Sequence, residues 1–307
     1  MFDPAQLAAL VAVHRRGAFD LAAAELGLTQ SAVSQRIRAL EERLGVMLIR
    51  RGTPSAATDI GLRLIRHAEE VAILAQQVTA DLPGVRRTPT TLRIAVNADS
   101  LATWVIPALA AVEGMLFDLV IDDQDFSQDW LRRGEVVAAI TGHPGPLQGC
   151  DTLPLGRLRY LATASPAYMA RWFREGVTPE AMRQAPALTF SDKDRLQTEW
   201  VTALFGADRA TFPSHRIASS HGFVDACLCG LGWGLNPEPM VAAHLAAGRL
   251  VELVPERPLD VGLHWQYARL TAGAISSLTR AVQRASRSVL HQQERDFQEG
   301  FDHTKLL

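Results

Sequence analysis

Apolar and polar positions between residues 18 and 45 predict two short helices joined by a tight turn. The first helix is rich in alanine, and Gly27 can end it because glycine adopts a left-handed backbone at little cost. Thr29 is a good N-cap for the second helix. Apolar residues spaced four, three and four apart form one buried face of that second helix: Val33, Ile37, Leu40 and Leu44.

The opposite face of the second helix begins with uncharged hydrogen-bonding side chains, where a solvated helix usually carries Glu and Lys. It contains Gln30, Ser31, Ser34, Gln35 and Arg38. Such side chains form hydrogen bonds with base edges and phosphates. Further arginines cluster around and after the helix: Arg36, Arg43, Arg50 and Arg51. The pattern predicts a recognition helix for double-stranded DNA, and the alternative is an ordinary helical hairpin with a solvated face.

The segments that flank this hairpin extend the prediction. Residues 6–16 have helical periodicity, and residues 46–57 contain short extended segments around Gly52 and Pro54. The extended segments are typical of a wing, and they place Arg51 where it can touch a phosphate or the minor groove.

A long helix is predicted from the cap residue Thr58 to about Leu82. Its small and apolar residues follow two interleaved seven-residue series, Gly61, Ala68, Ala75 and Leu82 with Leu64, Val71 and Val78. Two such series define a coiled-coil seam, so the helix is interpreted as a dimerisation element. The alternative is that it packs on the core of its own chain.

Residues 83–91 are predicted to be a hinge because they contain two prolines and one glycine without apolar periodicity. Beyond them short apolar strands alternate with helices, which predicts an α/β domain with largely parallel sheets. The expected strands are 92–96, 117–121, 136–140 and 158–162. The expected helices include 102–112, 128–133, 166–173 and 222–229.

Length and composition limit the possible functions. A chain of 307 residues predicts about two domains, and a net charge of −2 means that any nucleic-acid surface is local. No apolar run of about 18 residues is present, so no membrane partner is expected. The amino-terminal residues include Asp3 where a signal peptide needs positive charge, which predicts a cytoplasmic location.

The chemistry-bearing residues do not indicate an enzyme or a cofactor site. The sequence contains no G-x-S-x-G elbow, P-loop or H-E-x-x-H motif. Its three cysteines, Cys150, Cys227 and Cys229, match neither a disulfide framework nor a four-ligand zinc site. A redox switch that links Cys150 to one of the others is an open alternative to three inert thiols.

The strongest candidate for a ligand site follows the first strand of the α/β region. Strand 92–96 runs into Asn97 and Asp99, and Ser100 at the expected helix start could hold a carboxylate together with backbone amides. Asp122, Asp123 and Asp125 add negative charge if the neighbouring strand lies alongside. A ligand with a carboxylate and one or more ammonium groups suits this mixture. The alternative is that Ser100 caps the helix and the carboxylates are solvated.

Together these motifs resemble the LysR-type transcriptional regulators along nearly the whole chain. The resemblance is carried by Thr29–Ile37, Leu40-Glu41, Leu44-Gly45, Arg51 and Thr58–Gly61. The stretch from Ala95 to Trp104 (AVNADSLATW) resembles the arginine- and lysine-responsive branch, as do Leu131–Val137 and Gly230–Gly234.

The resemblance implies an α/β multidomain protein with a winged helix-turn-helix (residues 1–58), a dimerising linker helix (59–82) and a hinge (83–91). The remainder, 92–307, would be a two-lobed effector domain resembling periplasmic binding proteins. Lobe I would comprise about 92–161 and 267–295, and lobe II about 162–266. Dimers or tetramers, RNA polymerase as a partner, and activation of a gene for a basic amino-acid exporter are also implied.

Carried over residue by residue, the resemblance assigns base reading to Gln30, Ser31, Ser34 and Gln35, and DNA-backbone contacts to Arg36 and Arg51; Arg38 joins them as a DNA-binding residue. It assigns the lysine or arginine effector to Asn97, Asp99, Ser100, Trp104, Asp123, Thr141, Asp192, Ser219, Gly222 and Phe223. One departure concerns the wing, where Ser55-Ala56-Ala57 stand in place of an extra arginine found in some members. Other readings are a LysR-type regulator of another small metabolite, or an α/β binding protein or transferase without a DNA role.

Overall fold

The computed structural model describes residues 2–80, 89–123, 125, 127–207 and 210–292. Within these ranges, none of the helices has the length and apolar character needed to cross a bilayer. The chain divides into two compact units. Unit 1 contains residues up to 101, 106–153 and 265–282, and unit 2 contains 102–105, 154–264 and the residues from 283 onward. The hinge predicted at 83–91 falls mostly on 81–88, which lie outside the described residues.

The first 80 residues of unit 1 form a winged helix-turn-helix. Its elements are α1 (Pro4–Arg16), α2 (Phe19–Leu26), α3 (Gln30–Leu44), β1 (Ile49–Arg50), β2 (Ala56–Ala57) and α4 (Asp59–Ala80). Gly27 ends α2 at φ 63°, as its left-handed tendency predicts. Val33, Ile37 and Leu40 of α3 are buried in one core with α1 and with Leu48 before β1.

Hydrogen bonds fasten the wing to the helices. The Glu41 side chain accepts bonds from the backbone N–H groups of Leu48 (2.7 Å) and Ile49 (3.2 Å). On the other side of the wing, the Ser55 N–H donates to the Gly17 carbonyl at 2.7 Å. Buried backbone groups rarely remain unpaired, so these bonds fix the wing beside α3.

The linker helix α4 begins as predicted, because the Thr58 hydroxyl accepts a bond from the Gly61 N–H at 3.1 Å. Its first heptad positions nevertheless pack on their own domain. A Cβ at Gly61 would lie 2.2 Å from the Leu48 carbonyl oxygen, and Leu64 and Ala68 pack against the helix-turn-helix core. Further along α4 the seven-residue series is exposed to solvent, since Val71 is 47 % exposed. The Val78 side chain and Leu82 lie outside the described residues.

The rest of unit 1 contains a parallel sheet that begins at Thr90, so the prediction that the hinge extends to residue 91 is wrong. Its elements are β3 (Thr90–Val96), α5 (Ala98–Ser100), α6 (Ile106–Ala110), β4 (Met115–Ile121), α7 (Ser127–Arg133) and β5 (Ala138–Thr141). A π-helical segment (Leu101–Val105) follows α5 along the chain, and its residues 102–105 belong to unit 2. Strand β3 lies between β4 and β5 and runs parallel to both. The helix predicted at 102–112 starts earlier, at Ala98, because Asn97 occupies the N-cap position.

The chain from Cys150 onward continues with β6 (Cys150–Ala164), α8 (Pro166–Trp172), α9 (Pro179–Met182), β7 (Ala187–Thr189), α10 (Leu196–Phe205), β8 (Ser214–Arg216), α11 (Ser220–Leu228), β9 (Gly234–Pro237), α12 (Glu238–Ala246), β10 (Val251–Glu252), β11 (Leu259–Ala268) and α13 (Ser276–Val289). The expectation of largely parallel sheets is wrong for unit 2, where β9 and β10 both run antiparallel to β6. Apolar periodicity locates strands without fixing their direction.

Candidate functional site

The polar face of α3 points outward. Thr29 caps the helix by accepting a bond from the Ala32 N–H at 3.2 Å, which sets the direction of the first turn. The side chains predicted to meet DNA follow: Gln30, Ser31, Gln35 and Arg38 are exposed, and Ser34 and Arg36 are half-buried. The hydrogen-bonding groups therefore lie on the side of α3 opposite its buried face, as a helix inserted into a major groove requires.

Arg51, the predicted wing residue, is exposed at the end of β1 and stacks on the domain. Its guanidinium carbon lies 5.1 Å from the centre of the Phe19 ring, a cation–π contact with the start of α2. This contact holds Arg51 near α2, while the following Ser55 is buried and adds no charge. Arg51 is thus an exposed cation of the wing whose position is fixed by a contact with the domain.

The predicted ligand residues of unit 1 gather at the carboxyl end of β3. Asn97 is the N-cap of α5, and its buried side-chain oxygen accepts no hydrogen bond from the described residues. Ser100 is fully buried inside the helix, at φ −63° and ψ −41°, so the alternative that it caps the helix is wrong. Asp99 between them is half-buried. This edge therefore contains buried polar groups beside a carboxylate.

The acidic residues that follow β4 reach the same edge, because β3 and β4 are parallel and Val96 pairs with Ile121. The Asp122 N–H donates to the Val96 carbonyl at 3.2 Å. Much of the acidic segment is already bonded within the fold. The Asp122 carboxylate accepts the indole N–H of Trp130 at 2.9 Å, and one Asp123 oxygen accepts the Asp125 N–H at 3.0 Å.

Two further predicted residues, Thr141 in unit 1 and Trp104 in unit 2, have buried side chains. Thr141 ends β5, next to β3, and its hydroxyl accepts the His143 N–H at 3.2 Å. Trp104 lies in the π-helical segment and is 1 % exposed; its indole N–H has no acceptor among the described residues. A buried donor without an acceptor is costly, so Trp104 has a bond to offer to a ligand or to water.

In unit 2, the predicted effector residues Asp192, Ser219 and Phe223 make contacts that support the fold. Asp192 forms an ion pair with Arg216 at the end of β8. Ser219 caps α11 by accepting the Gly222 N–H at 3.1 Å. Phe223 is buried in the unit's core, and a Cβ at Gly234 would lie 2.3 Å from its ring.

Sequence reasoning singled out Ser219, Gly222 and Phe223 from the stretch 219–223 but not Ser220, which follows the capping serine. Its hydroxyl is buried at the first turn of α11 without a partner among the described residues, and its side chain is 6 % exposed. The order of the two serines could have shown this: the first of an adjacent pair before a helix is the cap, and the second starts the helix. Ser220 is therefore a better ligand candidate within unit 2 than Ser219.

Comparison with known proteins matches two family models to the chain. Residues 4–62 match the model of the bacterial regulatory helix-turn-helix proteins of the lysR family, and residues 86–287 match the LysR substrate binding domain. The transcriptional regulator ArgP of Pseudomonas fluorescens is 42 % identical over 291 residues, which cover 93 % of this chain and 97 % of that protein. The regulator LysG of Mycobacterium tuberculosis is 40 % identical over 296 residues, covering 95 % and 96 %.

Solved structures agree with these sequence relatives. The crystal structure of ArgP from Mycobacterium tuberculosis superposes with a TM-score of 0.81 at 39 % identity, covering 95 % of this chain and all of that one. Full-length LysG from Corynebacterium glutamicum with bound effector Arg superposes with a TM-score of 0.70 at 34 % identity, covering 94 % of this chain and all of that one.

The chain belongs to the LysR family of DNA-binding transcriptional regulators. Within this family it is a regulator of the ArgP and LysG kind, with a helix-turn-helix for DNA and a domain for a small-molecule effector. Its relatives act in transcription, so it is a regulator and not an enzyme.

Proposed function

We propose that this regulator is controlled by a basic amino acid, lysine or arginine. The observation that carries the proposal is the edge shared by β3 and β4, where Asp99 and Asp123 accompany the buried polar groups of Asn97 and Ser100. Carboxylates attract the ammonium or guanidinium groups of such a ligand. The bound effector Arg in the Corynebacterium glutamicum relative supports the same chemistry.

Each predicted effector residue has a distinct role in this proposal. In unit 1, Asp99 and Asp123 hold the cationic groups, Ser100 and the Asn97 oxygen bond the ligand's polar atoms, and Thr141 limits the depth of the site. Trp104, which belongs to unit 2, has an indole N–H that can donate to a ligand oxygen. In unit 2, Ser219 and Gly222 hold the first turn of α11, Phe223 supports it from the core, and Asp192 binds a guanidinium only by exchanging its Arg216 partner.

On the DNA side, we propose that α3 reads one half-site. Gln30, Ser31, Ser34 and Gln35 contact bases, and Arg36, Arg38 and Arg51 contact the backbone. A second copy of the chain would pair along α4 beyond its anchored first turns, where Val71 and Ala75 are exposed. Dimers or tetramers would then recruit RNA polymerase to a gene for a basic amino-acid exporter, within the cytoplasm.

A footprint of the gene's own upstream region with and without lysine and arginine tests the proposal. Either amino acid should change the protected region and raise the melting temperature of the protein, since a ligand that binds the folded state stabilises it. No preference for upstream over random DNA would overturn DNA recognition by α3. Calorimetric binding of a different metabolite, with neither lysine nor arginine bound, would overturn the effector assignment alone.

A further inference from the structure

Inside unit 1, the linker helix α4 contacts β3 and the short helical segment Arg269–Thr271, and it also reaches the turn after α7. The Arg66 side chain lies directly over Gly134, the residue that follows α7. A Cβ built on Gly134 would lie 2.2 Å from Arg66 Cδ and 2.6 Å from both Nε and Nη1. Gly134 also has φ +70°, a backbone conformation that disfavours larger residues. The absence of a side chain at position 134 is therefore what allows Arg66 to lie there.

The space around this contact is open. A cavity of about 490 Å³ adjoins it, lined on the α4 side by Arg66, Glu69 and Glu70 and on the other side by residues that include Val137 and Cys150. An open pocket of this size beside the contact leaves the Arg66 side chain room to move.

On one side of the contact, α4 is tied to the DNA-binding domain. Glu69 pairs with Arg15 of α1 at 2.8 Å, and Ile65 lies in the helix-turn-helix core. A displacement of α4 at Arg66 is therefore transmitted to α1 and to the core on which α3 packs.

On the other side of the contact, α7 is tied to the acidic edge of the sheet. The Ser127 hydroxyl donates to the Asp123 carbonyl at 2.9 Å, and the Trp130 indole donates to the Asp122 carboxylate at 2.9 Å. Gly134 is fixed to the end of this helix through its N–H, which donates to the Leu131 carbonyl at 3.0 Å. A ligand that shifts Asp122 or Asp123 therefore shifts the turn under Arg66.

We propose that Arg66 is a positioning residue that couples the effector edge to the DNA-binding domain through its contact with Gly134. The contact is docked in one regulatory state and released in the other. The regulatory part of this proposal rests on the proposed effector site, whereas the Arg66–Gly134 contact does not depend on that site. Coupling of this kind requires one element with two arrangements that both sites bias, and the pocket beside Arg66 leaves space for a second position of its side chain.

The test compares alanine substitutions at two glycines that both have a positive φ, so the backbone strain is similar in the two variants. Gly134→Ala forces Arg66 to move, whereas Gly114→Ala places a methyl group at φ +75° with nothing within 4 Å. Arg66→Ala and the double variant complete a cycle. Hydrogen–deuterium exchange over residues 59–75 and 127–137 reports the contact, and operator binding with and without lysine or arginine reports coupling.

Gly134→Ala and Arg66→Ala should each speed exchange in both segments, and the double variant should add nothing further to exchange in 59–75. Gly114→Ala should leave exchange in 59–75 unchanged. The ligand-induced change in operator affinity should shrink by roughly 2- to 30-fold in both junction variants, while binding without ligand is retained.

If Gly134→Ala and Arg66→Ala both left exchange in 59–75 unchanged, or if their effects were fully additive in the double variant, the proposed role of the Arg66–Gly134 contact would be wrong. Faster exchange with an intact ligand response would overturn the coupling. Should Gly134→Ala fail to fold, Arg66→Ala and Arg66→Lys still decide the question, since Lys lacks the flat guanidinium that covers Gly134. Should the wild type respond to neither amino acid, the effector proposal fails while the exchange data still judge the contact.

Discussion

The outer face of α3 and the predicted effector residues differ in what their polar side chains do within the fold. On α3, Gln30, Gln35 and Arg38 are exposed, and the helix is held by its cap and its buried face instead. Among the effector residues, Ser219 caps a helix and Asp192 is paired with Arg216. A polar side chain that the fold does not need is a stronger indication of a binding role than a polar side chain alone.

The largest effect that tests this comparison is expected at Asp99. Asp99→Asn removes a half-buried carboxylate from the edge of β3 and should weaken lysine or arginine binding by about 10- to 150-fold, since a hydrogen bond to a charged group contributes about 1.5–3 kcal/mol. Isothermal titration calorimetry measures the loss.

The matched control is Asp192→Asn in unit 2. Asp192 is 77 % exposed and already paired, so its loss should change affinity by less than about fivefold, as for an exposed ion pair. A larger loss at Asp192 than at Asp99 would place the main cation site in unit 2 and reverse the assignment.

The next largest effect is expected on the outer face of α3. Gln35→Ala removes an exposed amide from α3 and should weaken operator binding by ~1–3 kcal/mol while nonspecific binding changes little. Arg38→Ala is the contrast on the same face, because loss of a phosphate contact lowers binding to every sequence and flattens its salt dependence. Fluorescence anisotropy with operator and scrambled duplexes separates the two. Equal losses on both duplexes for Gln35→Ala would exclude base reading.

These contrasts show how far the sequence could reach. The helix-turn-helix was predictable because its signals are local: Gly27 ends one helix, Thr29 caps the next, and the apolar spacing fixes the buried face of α3. The edge of β3 and β4 was partly predictable, since parallel strands align their carboxyl ends. The strand directions around β6 and the Asp192–Arg216 pair depend on contacts between distant segments, which periodicity does not encode.

A smaller effect is expected at Arg51, which is exposed but stacks on the Phe19 ring. Arg51→Ala removes its cation–π contact with Phe19, which contributes about 0.5–1 kcal/mol at an exposed site, together with one phosphate contact. Binding to operator and random DNA should fall equally, and the slope of log affinity against log salt should decrease in magnitude by about 0.9. Salt titrations of both duplexes measure this. A loss confined to the operator would mean that the wing reads sequence, contrary to the comparison.

The smallest effect is expected from the cysteines, which are largely engaged by the fold. Burial raises the pKa of Cys227 to about 12, and its sulfur accepts a bond from the Asn236 amide at 3.4 Å. Burial also raises the pKa of Cys150, whereas Cys229 is exposed. Because the thiolate is the reactive form, a thiol reagent at pH 8 should modify one cysteine per native chain, and none in Cys229→Ser. Mild peroxide should leave operator binding by Cys229→Ser unchanged. Rapid modification of a second thiol, or loss of operator binding by the oxidised variant, would restore the redox-switch alternative for Cys150 and Cys227.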